Sequence, residues 1–421
     1  MTGDRSATGG ARRWAPGVLG RSAPFRRLWT ARFISYLGDS VGLVALILYV
    51  AERVGTGAAV GLLLLASDLT PTLVSPLTGA LADRVDQRRL MVACELGQGI
   101  IVGAIALFLP PLPVLLALVA ARSVLSAAFQ PAARSAVPEL VDDADLEAAN
   151  SLLGFGTHGL EVGGPLLAAL LLPLAGVRGV LAIDAVTFLV AVPLLLGLPR
   201  LPPSPRDPAA GAGLFADARA GLHYIWRWPV IRALTVGFSG AVLFTAIDDV
   251  ALVFLAQESL GASGSAASVL YAGSGFGLVL GFALLARWAR RGRAATLFLW
   301  GFAVSSAGNL LTGLAPTVAA AFAIQAVRGL GISLIEVGHN TLLQRWVPRA
   351  MRARVFANLY GAIGLAAGLS YVLGGPFLDL TSPRVTLVVA GAGGLLATAA
   401  TALMLLPALA RQPQDAAADD A

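Results

Sequence analysis

The chain has 421 residues, of which 57% are hydrophobic and only 13% are charged, and its formal net charge is +6. A soluble chain of this length would form two or three domains with about a quarter of its residues charged. Water is therefore excluded as the solvent for most of this surface. In lipid, only helices or closed barrels satisfy the backbone. A spanning helix needs roughly 20 apolar residues, and the apolar runs here are far longer than the roughly ten-residue alternating segments of a barrel. The fold class is therefore all-α and polytopic.

Taken in chain order, residues 1–28 carry arginine throughout and have no apolar core ahead of a small-residue cleavage site. No secretory signal is expected there, and the first span itself should direct insertion. Twelve predicted spans follow at 29–50, 58–82, 89–110, 112–133, 148–174, 179–198, 231–256, 265–287, 294–313, 316–340, 355–378 and 384–407. They fall into a first six-helix bundle (29–198), a linker (199–230), a second six-helix bundle (231–407) and a tail (408–421). The linker opens with LPRLPPSPRDPAAGAG, too rich in proline for a helix. It continues into LFADARAGLHYIWRWPVIRAL, where Trp226, Arg227, Trp228 and Arg232 predict an amphipathic segment at the membrane surface, or equally an ordinary helical linker.

All 30 basic residues are arginine. Twenty-four of them lie in the termini and the even-numbered junctions, whereas the odd junctions hold only Arg53, Arg178 and Arg384. The arginine-rich side is cytoplasmic by the positive-inside rule, so both termini are expected in the cytoplasm of a multi-pass protein of the plasma membrane. The positive charge is thereby assigned to topology, and nucleic-acid binding is not needed to explain it. Cys94 is the lone cysteine, and the three histidines (His158, His223, His339) are scattered, which argues against a disulfide framework or a metal site.

An internal repeat relates the halves. FQPAARSAVPELVDDADLEAANSLLGFGTHGLEVGGP is echoed by HNTLLQRWVPRAMRARVFANLYGAIGLAAGLSYVLGGP, aligning Pro138 with Pro348, Asn150 with Asn358 and Gly164-Pro165 with Gly375-Pro376. Six-span halves in parallel repeat are a transporter arrangement, with substrate held near the midplane between them.

The charged knot GALADRVDQRRLM, between predicted spans two and three, resembles the loop of the major facilitator superfamily with the pattern Gly-x-Leu-Ala-Asp-Arg-x-Gly-Arg-Arg/Lys. Gly79, Leu81, Ala82, Asp83, Arg84 and Arg88 match, while Asp86 and Gln87 stand where Gly and Arg are usual. ARSVLSAAFQPAARS is similar to the family's fourth-span motif, with Arg122 as its charge. GLEVGGPLLAA resembles the fifth-span Gly-Pro motif of antiporters, although Ala168 and Ala169 replace its trailing glycines. FRRLWTARFISYLGDS, GLHYIWRWPVIRAL and AIDAVTFLV look like the branch that includes enterobactin and macrolide exporters. The resemblance covers essentially the whole chain. It implies a gating loop of Gly79, Asp83, Arg84, Arg88 and Arg134, in which Asp83 contacts the start of span eleven and the end of span four only when the cytoplasmic side is shut. The alternative is that these charges are topology anchors alone.

Ionisable side chains at a bilayer centre cost about 2.5–3.5 kcal/mol on the insertion scale, so Asp39, Asp68, Arg122, Glu161, Asp248, Asp249 and Arg328 should face a wet cavity or one another. Asp39 and Arg122, each near the middle of its span, are expected neighbours. Asp39, with Asp68 or Glu161 as alternatives and Asp248 as a further candidate, is the expected proton carrier, its affinity set by Arg122. The competing reading is a pair that only fixes helix packing. Phe33, Tyr36, Phe155, Phe244 and Tyr271 are candidate cavity aromatics. Pro165 and Pro376, each after a glycine pair (Gly164 and Gly375 immediately before them), could loosen their helices. YAGSGFGLVLG has no preceding strand to make it a dinucleotide site and is assigned to helix packing, as are Gly38/Gly42, Gly159/Gly163 and Gly364/Gly368.

The expected function is a proton-coupled exporter of small amphipathic or hydrophobic molecules such as drugs, macrolides or siderophores, working by alternating access as a monomer. No bound cofactor is expected, the partners being the small-molecule substrate and the bilayer. An uptake symporter or facilitator on the same fold is the alternative. A polytopic enzyme or lipid-handling protein is remote, because no clustered catalytic set is present. No Walker loop with Gly-Lys-Ser/Thr occurs, so ATP is not the expected energy source.

Overall fold

A computed structural model describes residues 15–82, 84–202, 214–262, 264–288 and 294–411. Eleven helical stretches among them are long and apolar enough to cross a membrane. One, Leu146–Leu196, has 51 residues, about 76 Å of helix against a hydrocarbon core of about 30 Å. It turns back at Gly176, whose φ of 64° and ψ of 177° leave the helical region and suit a residue without a Cβ. With its two legs counted separately, the described residues supply twelve candidate spans.

The first half comprises α1 (Ala15–Arg21), α2 (Ala23–Val54), α3 (Gly57–Ala82), α4 (Gln87–Phe108), α5 (Leu112–Leu140) and the two legs of α6 (Leu146–Leu196). The second comprises α7 (Leu214–Arg227), α8 (Pro229–Thr245), α9 (Asp248–Phe254), α10 (Gly264–Trp288), α11 (Ala294–Gly313), α12 (Val318–Trp346), α13 (Arg349–Leu380) and α14 (Pro383–Arg411). Helix ends follow local chemistry. Ser22 caps α2 by accepting the Phe25 N–H at 3.1 Å, and Gly55 closes it in the left-handed region with φ 71°. Asp86 caps α4 by accepting the Arg89 N–H at 3.0 Å. That bond supplies a reason for an aspartate where the loop pattern has glycine.

Several helices outrun their predicted spans on the arginine-rich side. α5 continues to Leu140, α12 to Trp346, and α13 begins at Arg349. Apolar runs mark the lipid boundary, whereas helix continues into water wherever arginine and alanine favour it. The seventh span is interrupted: α8 stops at Thr245, a turn follows at Ala246–Ile247, and α9 runs into a π-helical turn at Leu255–Ser259. α7 is docked on the second half, the Tyr224 hydroxyl donating to the Trp346 carbonyl at 3.0 Å and Asn358 Nδ2 to the Ala218 carbonyl at 3.1 Å. Its Ile225 is buried while Leu222 and Trp226 stay exposed, as an amphipathic helix at a surface requires.

The apolar cores reveal the state of the molecule. One buried cluster joins residues of both halves, from Val41–Ala51 and Ala59–Leu64 to Ile247–Ala256, Tyr371 and Leu378. Toward the arginine-rich side it divides. Phe25, Met91, Phe129 and Leu195 belong to a cluster of the first half alone, and Ile231, Phe298, Trp346 and Leu405 to one of the second half alone. The halves meet chiefly along α3 against α13 and α6 against α10. They are therefore packed together at the arginine-poor end and separate at the arginine-rich end.

Candidate functional site

Glycine brings α3 and α13 into backbone contact. A Cβ on Gly61 would stand 2.8 Å from the Tyr371 carbonyl, and one on Gly368 would stand 3.0 Å from Leu65 Cδ1. At this seam the Tyr371 hydroxyl donates to Asp68 Oδ2 at 3.2 Å, joining the halves. Tyr371 is buried whereas Asp68 is open on its other side. The insertion cost of a carboxylate places that side toward water rather than lipid.

Within the first half, Asp39 of α2 and Arg122 of α5 form an ion pair; Arg122 is 7% exposed and Asp39 26%. Asp184, on the second leg of α6, presses its carboxylate against Gly38 and Gly42 of α2. Those two glycines do more than bring helices close: any Cβ there would expel the acid. Glu95 of α4, also buried, accepts the Ser35 hydroxyl at 3.2 Å. Arg32 donates to Gln130 Oε1 at 2.7 Å. Between these groups is a chamber of about 20 Å³ lined by Arg32, Ser35, Tyr36, Asp39, Glu95, Gln98 and neighbours, room for about one water. Arg32 Nη1, Glu95 Oε2 and Asp184 Oδ1 have no hydrogen-bond partner among the described residues. Each such group costs about 1–3 kcal/mol if left dry, and two of them, on Arg32 and Glu95, belong to residues lining the chamber, which favours a water there. Glu95 and Asp184 are absent from the sequence-based candidates. The signal that could have found them is the one used for the others, an acid inside an apolar run.

The second half repeats the pattern. Asp248 at the start of α9 pairs with Arg328 of α12, at 3% and 12% exposure. The aspartates are 209 residues apart and the arginines 206, close to half the chain. Arg328 also donates to Gln325 Oε1 at 3.3 Å, Ser274 donates to the same oxygen at 2.5 Å, and Gln325 Nε2 donates to Thr312 at 3.2 Å. The Tyr271 hydroxyl donates to the Asp249 carbonyl, and the Ile247 N–H to Ser370 Oγ at 3.1 Å. The interrupted seventh span thus places two aspartates beside α13.

A larger cavity, about 480 Å³, lies between α3 and α5 and is lined by Pro71, Thr78, Gln130, Pro131, Arg134 and Ser135 among others. Arg134 is exposed there, as is Arg84 in its loop, and Arg88 is half-buried. Asp83 and the side chains of Glu161 and Phe155 lie outside the described residues, so the expected Asp83 contacts receive no structural account; Gly79 lies in α3. Of the aromatics, Tyr36 lines the small chamber, Phe33 stacks on Trp29 with centroids 5.0 Å apart, Tyr271 holds α9, and Phe244 rests on Gly393 of α14. Gly164 brings α6 against Ser40, and Gly375 brings α13 against Ala58. α6 and α13 remain helical through Pro165 and Pro376, the non-helical backbone of α6 being at Gly176. At the arginine-rich end, Arg21 makes a two-pronged bond to buried Asp145 at 2.7 and 2.8 Å. That bond raises the arginine's pKa.

The sequence profile described as Major Facilitator Superfamily matches residues 28–255 and again 237–420. The chain belongs to the major facilitator superfamily. It is 26% identical over 379 residues to an uncharacterized MFS-type transporter, YfiS, of Bacillus subtilis, covering 86% of this chain and 89% of that one. It is 24% identical to the multidrug efflux pump Tap of Mycolicibacterium fortuitum (87% and 92% covered) and 23% identical to macrolide efflux protein A of Streptococcus pyogenes (84% and 89%). Among solved structures it is similar to the nucleoside transporter NupG, with a TM-score of 0.75 at 15% identity over 90% of this chain and 99% of that one. It is also similar to a bacterial homolog of the lysosomal transporter Spinster in an inward-facing, unoccupied conformation, with a TM-score of 0.67 at 19% identity, covering 95% and 96%. The family match and the curated relatives agree on a major facilitator transporter with efflux-type relatives.

Proposed function

We propose that this transporter is a proton-coupled exporter of small amphipathic or hydrophobic molecules, macrolide-like compounds among them, that works by alternating access as a monomer in the plasma membrane. The supporting observation is the combination of halves joined at one end and parted at the other with an Asp39–Arg122 pair inside the parted half. The positive-inside rule assigns the parted, arginine-rich end to the cytoplasm, so substrate would load from the inside. The cavity of about 480 Å³ beside Arg134 falls in the range of small-molecule sites, about 300–1,000 Å³. In this reading a proton reaching Asp39 neutralises it, frees Arg122 toward Asp184, and changes which closed arrangement is cheaper.

The test is uptake into inside-out vesicles carrying the protein, with a radiolabelled macrolide and a lipophilic dye as probes and an acid interior imposed. Accumulation that collapses when the proton gradient is dissipated is the expected result. Accumulation only in right-side-out vesicles would replace export by uptake, and movement unaffected by any ion gradient would replace coupling by facilitated diffusion.

A further inference from the structure

The seam between α3 and α13 ends in a contact that none of the roles above uses. Asp379, next to last in α13, accepts the Gly57 N–H on Oδ1 at 2.5 Å and the Ala58 N–H on Oδ2 at 3.1 Å. These amides open α3, where the first N–H groups of a helix have no partner within it and where negative charge is favoured. The two helices belong to different halves, so this capping bond crosses the interface. The backbones around it are closed up without room for side chains. A Cβ on Gly375 would stand 2.8 Å from Ala58 Cα, and one on Gly57 would stand 2.6 Å from Leu378 Cδ2. Further contacts of the seam run inward through Gly61 and Tyr371 to Gly364 and Thr72. Asp379 itself is exposed at the rim and adds nothing to the buried core. Its contribution exists only while the two helix ends are together.

We propose that Asp379 is the outer latch of the transport cycle, a positioning residue that caps α3 only when the arginine-poor end is shut and so sets how often that end opens. The inference rests on the alternating-access reading. Opening must separate the start of α3 from the end of α13 and hand both amides to water. Losing a helix cap shifts an equilibrium by about five-fold, within a range of roughly two- to thirty-fold. A latch broken once per cycle needs that modest size, since a far stronger one would hold the transporter in one state. The expected inner contact of Asp83, at the other end of α3, with the start of α13 would make the device reciprocal.

The test uses the full chain in lipid nanodiscs, with Cys94→Ala and nitroxides at Phe108→Cys and Leu314→Cys, two exposed positions at the arginine-poor ends of the two halves. A second pair, Glu139→Cys and Gln344→Cys, reports the arginine-rich face. Double electron–electron resonance should show Asp379→Ala raising the ratio of long to short outer distances about five-fold, with the inner pair shortening in step. Asp379→Asn keeps a capping oxygen and should stay within about two-fold of the parent. If the parent samples both outer distances and Asp379→Ala leaves their ratio unchanged, or if Asp379→Asn moves it as far as Asp379→Ala, the latch is overturned while rocking stands. A parent with one fixed outer distance under every proton gradient and substrate probe overturns alternating access, and the latch with it.

Discussion

Replacing Arg328 by methionine removes the counter-charge of Asp248 but keeps most of the volume. Both groups are almost enclosed, at 12% and 3% exposure, and Arg328 Nη1 is also the donor facing Gln325 and Ser274. Breaking a buried pair from one side costs about 3–5 kcal/mol, because a charge is left without compensation. Against a total stability of about 5–15 kcal/mol for an ordinary domain, that is a large fraction. The double variant Arg328→Met/Asp248→Asn removes both charges and should recover most of the loss, ending within about 1–2 kcal/mol of the parent. Sodium dodecyl sulfate titration of the purified protein in mixed micelles, followed by tryptophan fluorescence, measures the four corners of the cycle. A single variant costing less than about 1 kcal/mol, or a double variant no better than Arg328→Met alone, would refute buried charge compensation as the role of this pair.

Asp39→Asn should abolish gradient-driven accumulation in inside-out vesicles while leaving probe binding, measured by equilibrium dialysis, within about three-fold, since the Asp184 carboxylate still acts on the Arg122 charge and one hydrogen-bonding group replaces another. Asp86→Ala should destabilise α4 by about 1 kcal/mol and Asp86→Ser by much less, read from amide exchange at the start of α4. Gly329→Val should block assembly of the second half, because its Cβ would overlap the Ser274 carbonyl of α10; low yield with aggregation on size exclusion is the outcome expected. Burial pushes the Tyr224 hydroxyl up to about 12, above an ordinary tyrosine near 10. Folding thus favours its neutral form, and the contribution is complete below about pH 10 and lost as pH rises toward 12. Trp226 and Trp228 fluorescence should report loosening of α7 in that window, and Tyr224→Phe should remove that step.

The fold was largely legible because lipid leaves so few ways to satisfy a backbone. Apolar runs located the spans, and the arginines mark the end at which the buried clusters of the two halves divide. Helix ends were less legible: α5 and α13 extend beyond their apolar runs, since hydropathy records the solvent and not the hydrogen bonding. Asp39 and Arg122 could be paired from their depth in the first and fourth spans. The equivalent pairing of Asp248 with Arg328 was implicit in the repeat, but it depends on the turn at Ala246–Ile247, which no proline or glycine announces. Glu95 and Asp184 carry the same signal as the other buried acids, one acid within an apolar run, but nothing in the sequence pairs them with a partner, and only packing shows that Gly38 and Gly42 make room for Asp184.

The two ion pairs occupy equivalent places in the repeat, yet their surroundings differ in a way that divides their work. Asp39 keeps a quarter of its side chain accessible and borders a polar chamber, so a proton can reach it without the helices parting. Asp248 is enclosed and its arginine is tied to Gln325 and Ser274, so a proton would have to break a network to enter. Under the proposed proton coupling, a repeat that duplicates charge without duplicating access would give one half a site able to titrate during turnover and the other a brace that holds α9, α10 and α12 together. It follows that charge-removing substitutions in the first half should act on coupling before stability, and those in the second on stability before coupling. An Asp39→Asn variant that unfolds as readily as Arg328→Met would reverse that assignment.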